Sequence, residues 1–138
     1  MKVKQLSVFI ENKAGRVSEV TGILGTHDVN IRGFSVADTA DYGILRLIVD
    51  KPEEAVAALK AEGFTVRETD VICVYLDDVP GSLARVLSMV AGAGVNVEYL
   101  YSLVSTYVVL NVSDADAAIR QLEGTPVRLV SQEEMTSI

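Results

Sequence analysis

The sequence predicts an α+β protein made of two tandem copies of the ferredoxin-like β-α-β-β-α-β unit, each an antiparallel four-stranded sheet with helices on one face. Two observations predict this fold. Short motifs recur at a constant distance, since Gly15 and Gly81 are 66 residues apart, and so are Asn30 and Asn96. Within each repeat, apolar residues alternate as in strands or recur at helical spacing, in the order of that unit.

The apolar periods of the first copy predict its elements in order. The positions are Leu6, Val8 and Ile10 for an opening strand, then Val17, Val20 and Leu24 for a helix. Two strands at 29–37 and 42–49 follow, joined by a polar turn. A second helix follows, with Asp50 as its predicted N-cap, and a closing strand at 64–69 completes the unit.

The second copy repeats this order in the 66-residue register as far as Asn96, and its third strand follows a three-residue deletion. The positions are Ile72, Val74 and Leu76 for the strand, then Leu83, Val86, Leu87 and Val90 for the helix. Strands at 95–104 and 107–112 lead to a helix that we expect Ser113 to cap. A closing strand at 127–131 ends the copy.

The two copies follow each other without a Gly, Pro or Ser spacer, because residues 64–72 run almost directly from strand to strand. We therefore place the domains at residues 1–69 and 70–138. The second helix of each copy is rich in alanine, so a single unit has a thin core. We expect two units to pair, within the chain or in a homodimer, and to enclose a small ligand between them.

Composition excludes several classes of function. The chain has 12 Lys and Arg against 19 Asp and Glu, a formal charge of −7, so no positive field attracts nucleic acid or anionic lipid. Its apolar runs are far shorter than the ~20 residues that cross a bilayer, and we expect a cytoplasmic protein without a membrane partner. A single Cys73 and a single His27 exclude an internal disulfide and predict neither a metal site nor a cofactor.

A few single residues carry structural predictions instead. We expect His27 to be a surface residue near a helix end. Cys73 is expected to be a packed thiol or an interface residue rather than a nucleophile. Tyr99 and Tyr101 share one sheet face by the period of a strand, which favours an interface, a pocket wall or simple sheet packing.

The loop and strand-entry motifs resemble those of the ACT domain family of amino-acid-sensing regulatory modules, and specifically of stand-alone tandem ACT proteins. The motifs are Asn12-Lys13-Ala14-Gly15-Arg16-Val17 with Val29-Asn30-Ile31, and Asp78-Val79-Pro80-Gly81-Ser82-Leu83 with Gly94-Val95-Asn96-Val97. The resemblance covers nearly the whole chain, and the second copy is the closer match. The first copy departs from the pattern with Asn12 for the acid, Ala14 for the proline and Asp28 for a glycine.

The resemblance implies a non-catalytic regulatory module with a small amino acid bound at the interface of two units. The ligand would be held by the loop before the first helix and by the start of the second strand. The residues so implied are Asn12, Lys13, Ala14, Gly15, Arg16, Val17, Asn30, Asp78, Val79, Pro80, Gly81, Ser82, Leu83 and Asn96. The implied partners are the amino acid, a second copy of the chain in a homodimer, and a regulated enzyme or other protein.

The chemistry of these residues suits a zwitterion. Glycines let the loop turn tightly, and the helix starts that follow expose amides suited to an α-carboxylate. Acceptors for an α-ammonium are the Asp78 and Asn12 side chains and the loop carbonyls of Lys13 and Val79. A purely structural interpretation stays open, in which the glycines only shape the turn and each asparagine bonds its own backbone.

Two other functions stay open. One is a regulatory subunit that binds no metabolite and docks an enzyme through its exposed sheet faces. The other is an acylphosphatase-like hydrolase, in which Arg16 and Asn30 would hold phosphate. The characteristic loop of that enzyme is missing here, and Ser82 takes the place of the arginine in the second copy.

Overall fold

The computed structural model describes residues 1–11, 13–38, 41–104 and 106–138. Seven strands and five helices lie in these ranges. In chain order they are β1 (Val3–Glu11), α1 (Arg16–Thr26), β2 (Ile31–Asp38), β3 (Tyr42–Val49), α2 (Pro52–Ala61), β4 (Thr65–Tyr75), α3 (Ser82–Gly92), β5 (Val97–Ser102), β6 (Tyr107–Val112), α4 (Ala115–Glu123), β7 (Arg128–Leu129) and α5 (Gln132–Ser137).

The chain divides into two compact units, and the first copy forms one of them from Lys4–Thr69 together with Thr136–Ile138. Its strands lie in the order β2-β3-β1-β4, and β3 pairs antiparallel with both β1 and β2. One face of β1 and β3 packs on α1 and α2. The largest side chains buried in this core are Leu6, Leu24, Leu45, Leu47 and Leu59.

The second copy forms the other unit from Asp70–Met135 together with Met1–Val3. Strand β6 pairs antiparallel with β4 and β5, and β7 pairs antiparallel with the far side of β4. Its core is assembled from the same positions as the first. The largest side chains fully buried there are Ile72, Leu110 and Leu122. The predicted α+β class and ferredoxin-like plan are therefore confirmed.

The closing strand of the second copy is shorter than predicted, because only Arg128–Leu129 of the expected 127–131 is strand. Ser131 ends it by starting the next helix, since its Oγ accepts a hydrogen bond from the amide of Glu134 at 3.1 Å. Pro126 precedes it and has no N–H to donate to a neighbouring strand. The helix α5 was not predicted, because the sequence pattern shows no apolar period over these six residues.

The prediction that Asp50 and Ser113 cap the second helix of each copy is wrong. Helix α2 begins after Lys51 without a side-chain cap, and α4 begins after Asp114, whose carboxylate accepts from the amide of Ala117 at 3.0 Å. Asp50 and Ser113 are each one residue too early in the chain to cap the helix, and both accept a hydrogen bond from the residue before a strand instead.

The outer sheet face of the second copy carries the aromatic residues expected there. The rings of Tyr99 and Tyr101 stack at 6.4 Å, and Tyr107 meets the ring of Tyr75 edge-on at 5.0 Å. Cys73 lies on the same face and is fully buried, and desolvation raises the pKa of its thiol to about 12. The prediction of a packed thiol is therefore confirmed.

His27 is exposed at the end of α1, as predicted, and its Nδ1 lies 2.9 Å from the carbonyl oxygen of Ile23. In the part of the chain that the structure describes, no helix is long and apolar enough to cross a membrane. Nor do three His, Cys, Asp or Glu side chains come together there in a group that could hold a metal ion.

Candidate functional site

The loops before α1 and α3 have the same backbone geometry. Gly15 and Gly81 stand at the N-caps with φ of 84° and 88°, in the left-handed region that favours glycine. In each loop the first helical amide is bonded back to the chain at 3.3 Å, from Arg16 to the Lys13 carbonyl and from Ser82 to the Val79 carbonyl. The loop carbonyls predicted to bind an ammonium are therefore already acceptors within the loop.

Both helices begin without a side-chain cap, and this leaves backbone donors free. Among the described residues no acceptor bonds the amides of Val17 and Ser18 in α1, or those of Leu83 and Ala84 in α3. Such amides, together with the positive end of the helix dipole, favour an anion such as a carboxylate. Gly15, Val17, Gly81 and Leu83 therefore lie at two uncapped helix starts. Asn12 lies outside the described residues.

The two predicted asparagines are also placed alike. The backbone amide of Asn30 donates to the Asp50 carboxylate at 2.8 Å, and that of Asn96 donates to the Ser113 hydroxyl at 3.0 Å. The amides of Asp50 and Ser113 donate in return to the two asparagine carbonyls, at 3.1 and 2.9 Å.

These paired bonds leave both asparagine side chains exposed. Neither Asn30 nor Asn96 bonds its own backbone within the described chain, so the structural interpretation of these two residues is not supported. Helices α1 and α3, of 11 residues each, separate the asparagine from the loop of its own unit by about 16 Å. One small ligand therefore cannot contact the loop and the asparagine of the same unit.

Each unit has a cavity that begins at the helix start and lies beside the closing strand. In the second copy it has a volume of about 160 Å³, and its lining includes Asp77, Ser82, Arg85, Val86, Met89 and Val127. In the first copy it has a volume of about 360 Å³, lined among others by Glu11, Arg16, Glu19, Glu62 and Phe64. The polar parts of the two linings correspond, since Glu11, Arg16 and Glu19 match Asp77, Ser82 and Arg85 in the 66-residue register.

Four charged side chains at the first cavity are paired with each other. Arg16 contacts Glu19 at 2.9 Å and Glu11 at 3.9 Å, and Lys13 contacts Glu11 at 2.7 Å. The hydrogen bond and charge of Lys13 lower the pKa of Glu11, with a smaller contribution from Arg16. Arg16 is therefore occupied by carboxylates, which disfavours the phosphate-binding role considered for it above.

The second cavity has different polar chemistry at the same positions. Ser82 replaces the arginine and is only 8% exposed, and no partner bonds its buried Oγ among the described residues. Arg85 replaces a glutamate, and neither Arg85 nor Asp77 forms an ion pair in the described parts of the chain. This cavity therefore presents a free hydroxyl, a free cation and a free carboxylate.

Asp77 and Arg85 were not among the residues predicted from the sequence, and of the predicted second-copy loop only Ser82 lines the cavity. An alignment of the two copies shows the sequence difference that could have identified this site. Between the copies an arginine becomes a serine at position 82 and a glutamate becomes an arginine at position 85, whereas the flanking apolar positions keep their character. A charge reversal inside a repeated helix start could have indicated a difference in ligand chemistry.

Comparison with known proteins agrees with the fold. The family model described as an ACT domain pair matches residues 1–132. A solved protein from Bacteroides thetaiotaomicron is 40% identical with a TM-score of 0.95, covering 100% of this chain and 98% of its own. No curated protein sequence matches the chain.

Regulatory subunits of aspartate kinase share the fold at lower identity. The ligand-free subunit from Thermus thermophilus is 21% identical with a TM-score of 0.65, covering 88% of this chain and 91% of its own. The subunit from Thermus flavus is 17% identical with a TM-score of 0.61, covering 88% and 90%.

Proposed function

The chain belongs to the ACT domain pair family, whose members are regulatory modules, and on that premise we propose that it is a non-catalytic sensor of a small amino acid. The observation that carries the proposal is the pair of uncapped helix starts. Each follows a left-handed glycine and offers two amides that no described residue accepts from, which is a site for an α-carboxylate that needs no large positive field. The chain's charge of −7 is compatible with such local recognition.

The proposed ligand-binding residues are those of the two loops, Lys13 to Val17 and Asp78 to Leu83, with Asn30 and Asn96 at the strand entries. The exposed asparagine side chains support a role in binding, because each carries an amide donor and acceptor that have no partner in the described chain. A ligand between units, a homodimer and a regulated protein partner stay predictions. Occupancy acts on such a partner only through a difference in affinity between two states, commonly worth ~1–3 kcal/mol.

A thermal-shift screen of the twenty amino acids tests the proposal on the full chain. We expect one or a few of them to raise the melting temperature, because a ligand that binds only the folded state stabilises it. Gly81→Asn is the variant that tests the second-copy loop most directly. Asparagine tolerates the left-handed conformation, and no atom lies within 4 Å of a Cβ built at position 81, so the fold persists while a side chain obstructs the loop.

Gly15→Asn is the corresponding variant in the first copy and measures the contribution of that loop to binding, since a Cβ at this position also meets no described atom within 4 Å. Asn30→Ala and Asn96→Ala, which leave the backbone bonds of both strand entries intact, measure the contribution of the asparagine side chains. If no amino acid shifts the melting temperature at millimolar concentration, amino-acid sensing is wrong and docking of a protein partner without a metabolite is favoured. Hydrolysis of an acyl phosphate that is lost in Arg16→Ala would also contradict the proposal.

A further inference from the structure

We propose that the 160 Å³ cavity beside α3 is the amino-acid site of this chain, that it takes a small aliphatic amino acid, and that the matching first-copy cavity does not. This inference rests on the proposed function above. It narrows the binding residues to the second copy and gives the α-carboxylate to Arg85, because Leu83 and Ala84, whose amides were considered for it, are not among the described residues that line this cavity. It also adds the class of side chain that is accepted.

Ser82 is the first argument for a ligand here. Its Oγ is buried at the cavity wall and has no partner in the described chain. A buried hydroxyl without a hydrogen bond costs about 1–3 kcal/mol, so such groups are rare unless something binds them. An amino acid in the cavity supplies both an acceptor, its carboxylate, and a donor, its ammonium.

The charges at the rim are the second argument. Arg85 and Asp77 both line the cavity, and both are exposed and without an ion pair among the described residues. A guanidinium pairs well with a carboxylate and a carboxylate with an ammonium. We therefore assign the α-carboxylate to Arg85, the α-ammonium to Asp77, and the remaining hydrogen bond to Ser82.

The apolar lining of the cavity determines which side chain the bound amino acid can have. Val86, Met89 and Val127 line the cavity below its polar rim and offer a charged side chain no partner. A volume of 160 Å³ lies below the ~300–1,000 Å³ of pockets that hold drug-sized molecules. Aliphatic amino acids such as valine fit this description, whereas aromatic and charged amino acids do not.

The first-copy cavity lacks this chemistry although it is larger. Three carboxylates, of Glu11, Glu19 and Glu62, line it with a single guanidinium. That guanidinium, of Arg16, already contacts Glu11 and Glu19. An incoming carboxylate would have to displace one of these partners and sit among like charges, which disfavours binding.

Titration calorimetry of the full chain with valine, leucine, phenylalanine and glutamate tests the inference. We expect one site per chain for valine or leucine and no binding of the other two. Arg85→Gln and Ser82→Ala each remove a hydrogen bond to a charged group and weaken binding about tenfold or more. Met89→Phe narrows the cavity and weakens leucine more than valine.

Matched controls lie at the same positions of the first copy. Glu19→Gln corresponds to Arg85→Gln, and Ile23→Phe corresponds to Met89→Phe, and we expect both to leave the affinity unchanged. Ser82→Ala adds a readout on the free protein. Because it removes an unpaired buried hydroxyl, its melting temperature without ligand stays the same or rises while its ligand-induced shift falls.

The outcomes separate the two proposals. If no amino acid binds, the proposed function itself fails. Binding of two aliphatic ligands per chain overturns this inference and leaves the proposed function standing. So does binding that Ser82→Ala and Arg85→Gln do not change, or that Glu19→Gln weakens as strongly as Arg85→Gln does.

Discussion

The two copies of the unit share their backbone and differ at the helix start. In both, a left-handed glycine precedes the first helix, two amides have no acceptor among the described residues, and a polar side chain accepts a hydrogen bond from the amide of the strand-entry asparagine. At the cavity beside that helix, however, Arg16 and Glu19 form an ion pair in the first copy, while the Ser82 and Arg85 side chains of the second have no partner in the described parts of the chain. Repeated glycines and apolar residues therefore determine the fold. The side chains at two positions, Arg16 or Ser82 and Glu19 or Arg85, determine which copy offers polar groups to a ligand.

The largest expected effect is a loss of stability when a leucine at a core position that both copies share is removed. Leu59 and Leu122 occupy the same position of the second helix, and both are fully buried. We expect Leu59→Ala and Leu122→Ala each to reduce the free energy of unfolding by about 2–5 kcal/mol, because each leaves a cavity in a core of the same design. Urea unfolding measures both. A loss in only one of them would contradict the equivalence of the two cores.

The copies differ in the polar side chains at the start of their first helix. Placing the first-copy residue types in the second copy tests whether these side chains determine binding. In the double variant Ser82→Arg/Arg85→Glu, the second copy gains the pair that closes the first, so we expect the affinity for valine to fall more than tenfold. Calorimetry measures it, with circular dichroism as the control for folding. Retained affinity would show that these two positions do not distinguish the copies.

A smaller effect is expected where the chain enters the second strand. Gly94 has φ of 74° and its counterpart Asp28 has φ of 59°, both in the left-handed region. Lys51 bonds the carbonyl of Asp28 at 2.9 Å and its carboxylate at 3.2 Å. We expect Gly94→Ala to destabilise the protein by about 1–2 kcal/mol and Asp28→Gly to change its stability far less. Thermal melts of the two variants check this, and equal losses would contradict it.

The smallest expected effect near neutral pH is the contribution of the Cys73 thiol to the pH dependence of stability. Cys73 occupies the position of Ser7 in the first copy. Burial raises the pKa of the thiol to about 12, above the ~8.5 of an unfolded chain. Its contribution to stability is therefore complete below pH ~8.5 and declines as the pH rises above that value, because only the unfolded chain loses the proton there.

Alkylation kinetics measure the protection of Cys73. We expect the native thiol to react slowly with iodoacetamide at pH 8, and urea to bring the rate to that of a free cysteine. Rapid modification of the native protein would show that the outer face of the second copy is open. Cys73→Ser, which places the first-copy residue there, is the blank for nonspecific labelling.

Much of the fold could be predicted from the sequence. The 66-residue register and the apolar periods predicted both units, and β3 and β6 begin and end at the predicted residues. The helix α5 could not be predicted, because its buried Met135 is a single apolar contact rather than a period. The caps were misplaced since Asp50 and Ser113 bond a strand that lies far from them in sequence, and local rules do not anticipate such a partner.

The candidate site was predicted only in part. The glycines and the helix starts follow from local backbone rules, so the loops could be recognised from their residues. Asp77 and Arg85 could not, because what places them at one cavity is the packing of α3 beside the segment that leads into β7. The ion pairs of Arg16 likewise depend on Glu11, at the end of the preceding strand.

Amide chemical-shift mapping with valine tests the central claim most directly. If the second copy is the sensor, shifts that saturate with one ligand per chain concentrate at Asp77, Ser82, Arg85 and Val127, and they are lost in Arg85→Gln. The matching first-copy residues Glu11, Arg16, Glu19 and Phe64 then serve as the internal control and stay unperturbed. Shifts of equal size at both sets, or at the first-copy set alone, would contradict the account.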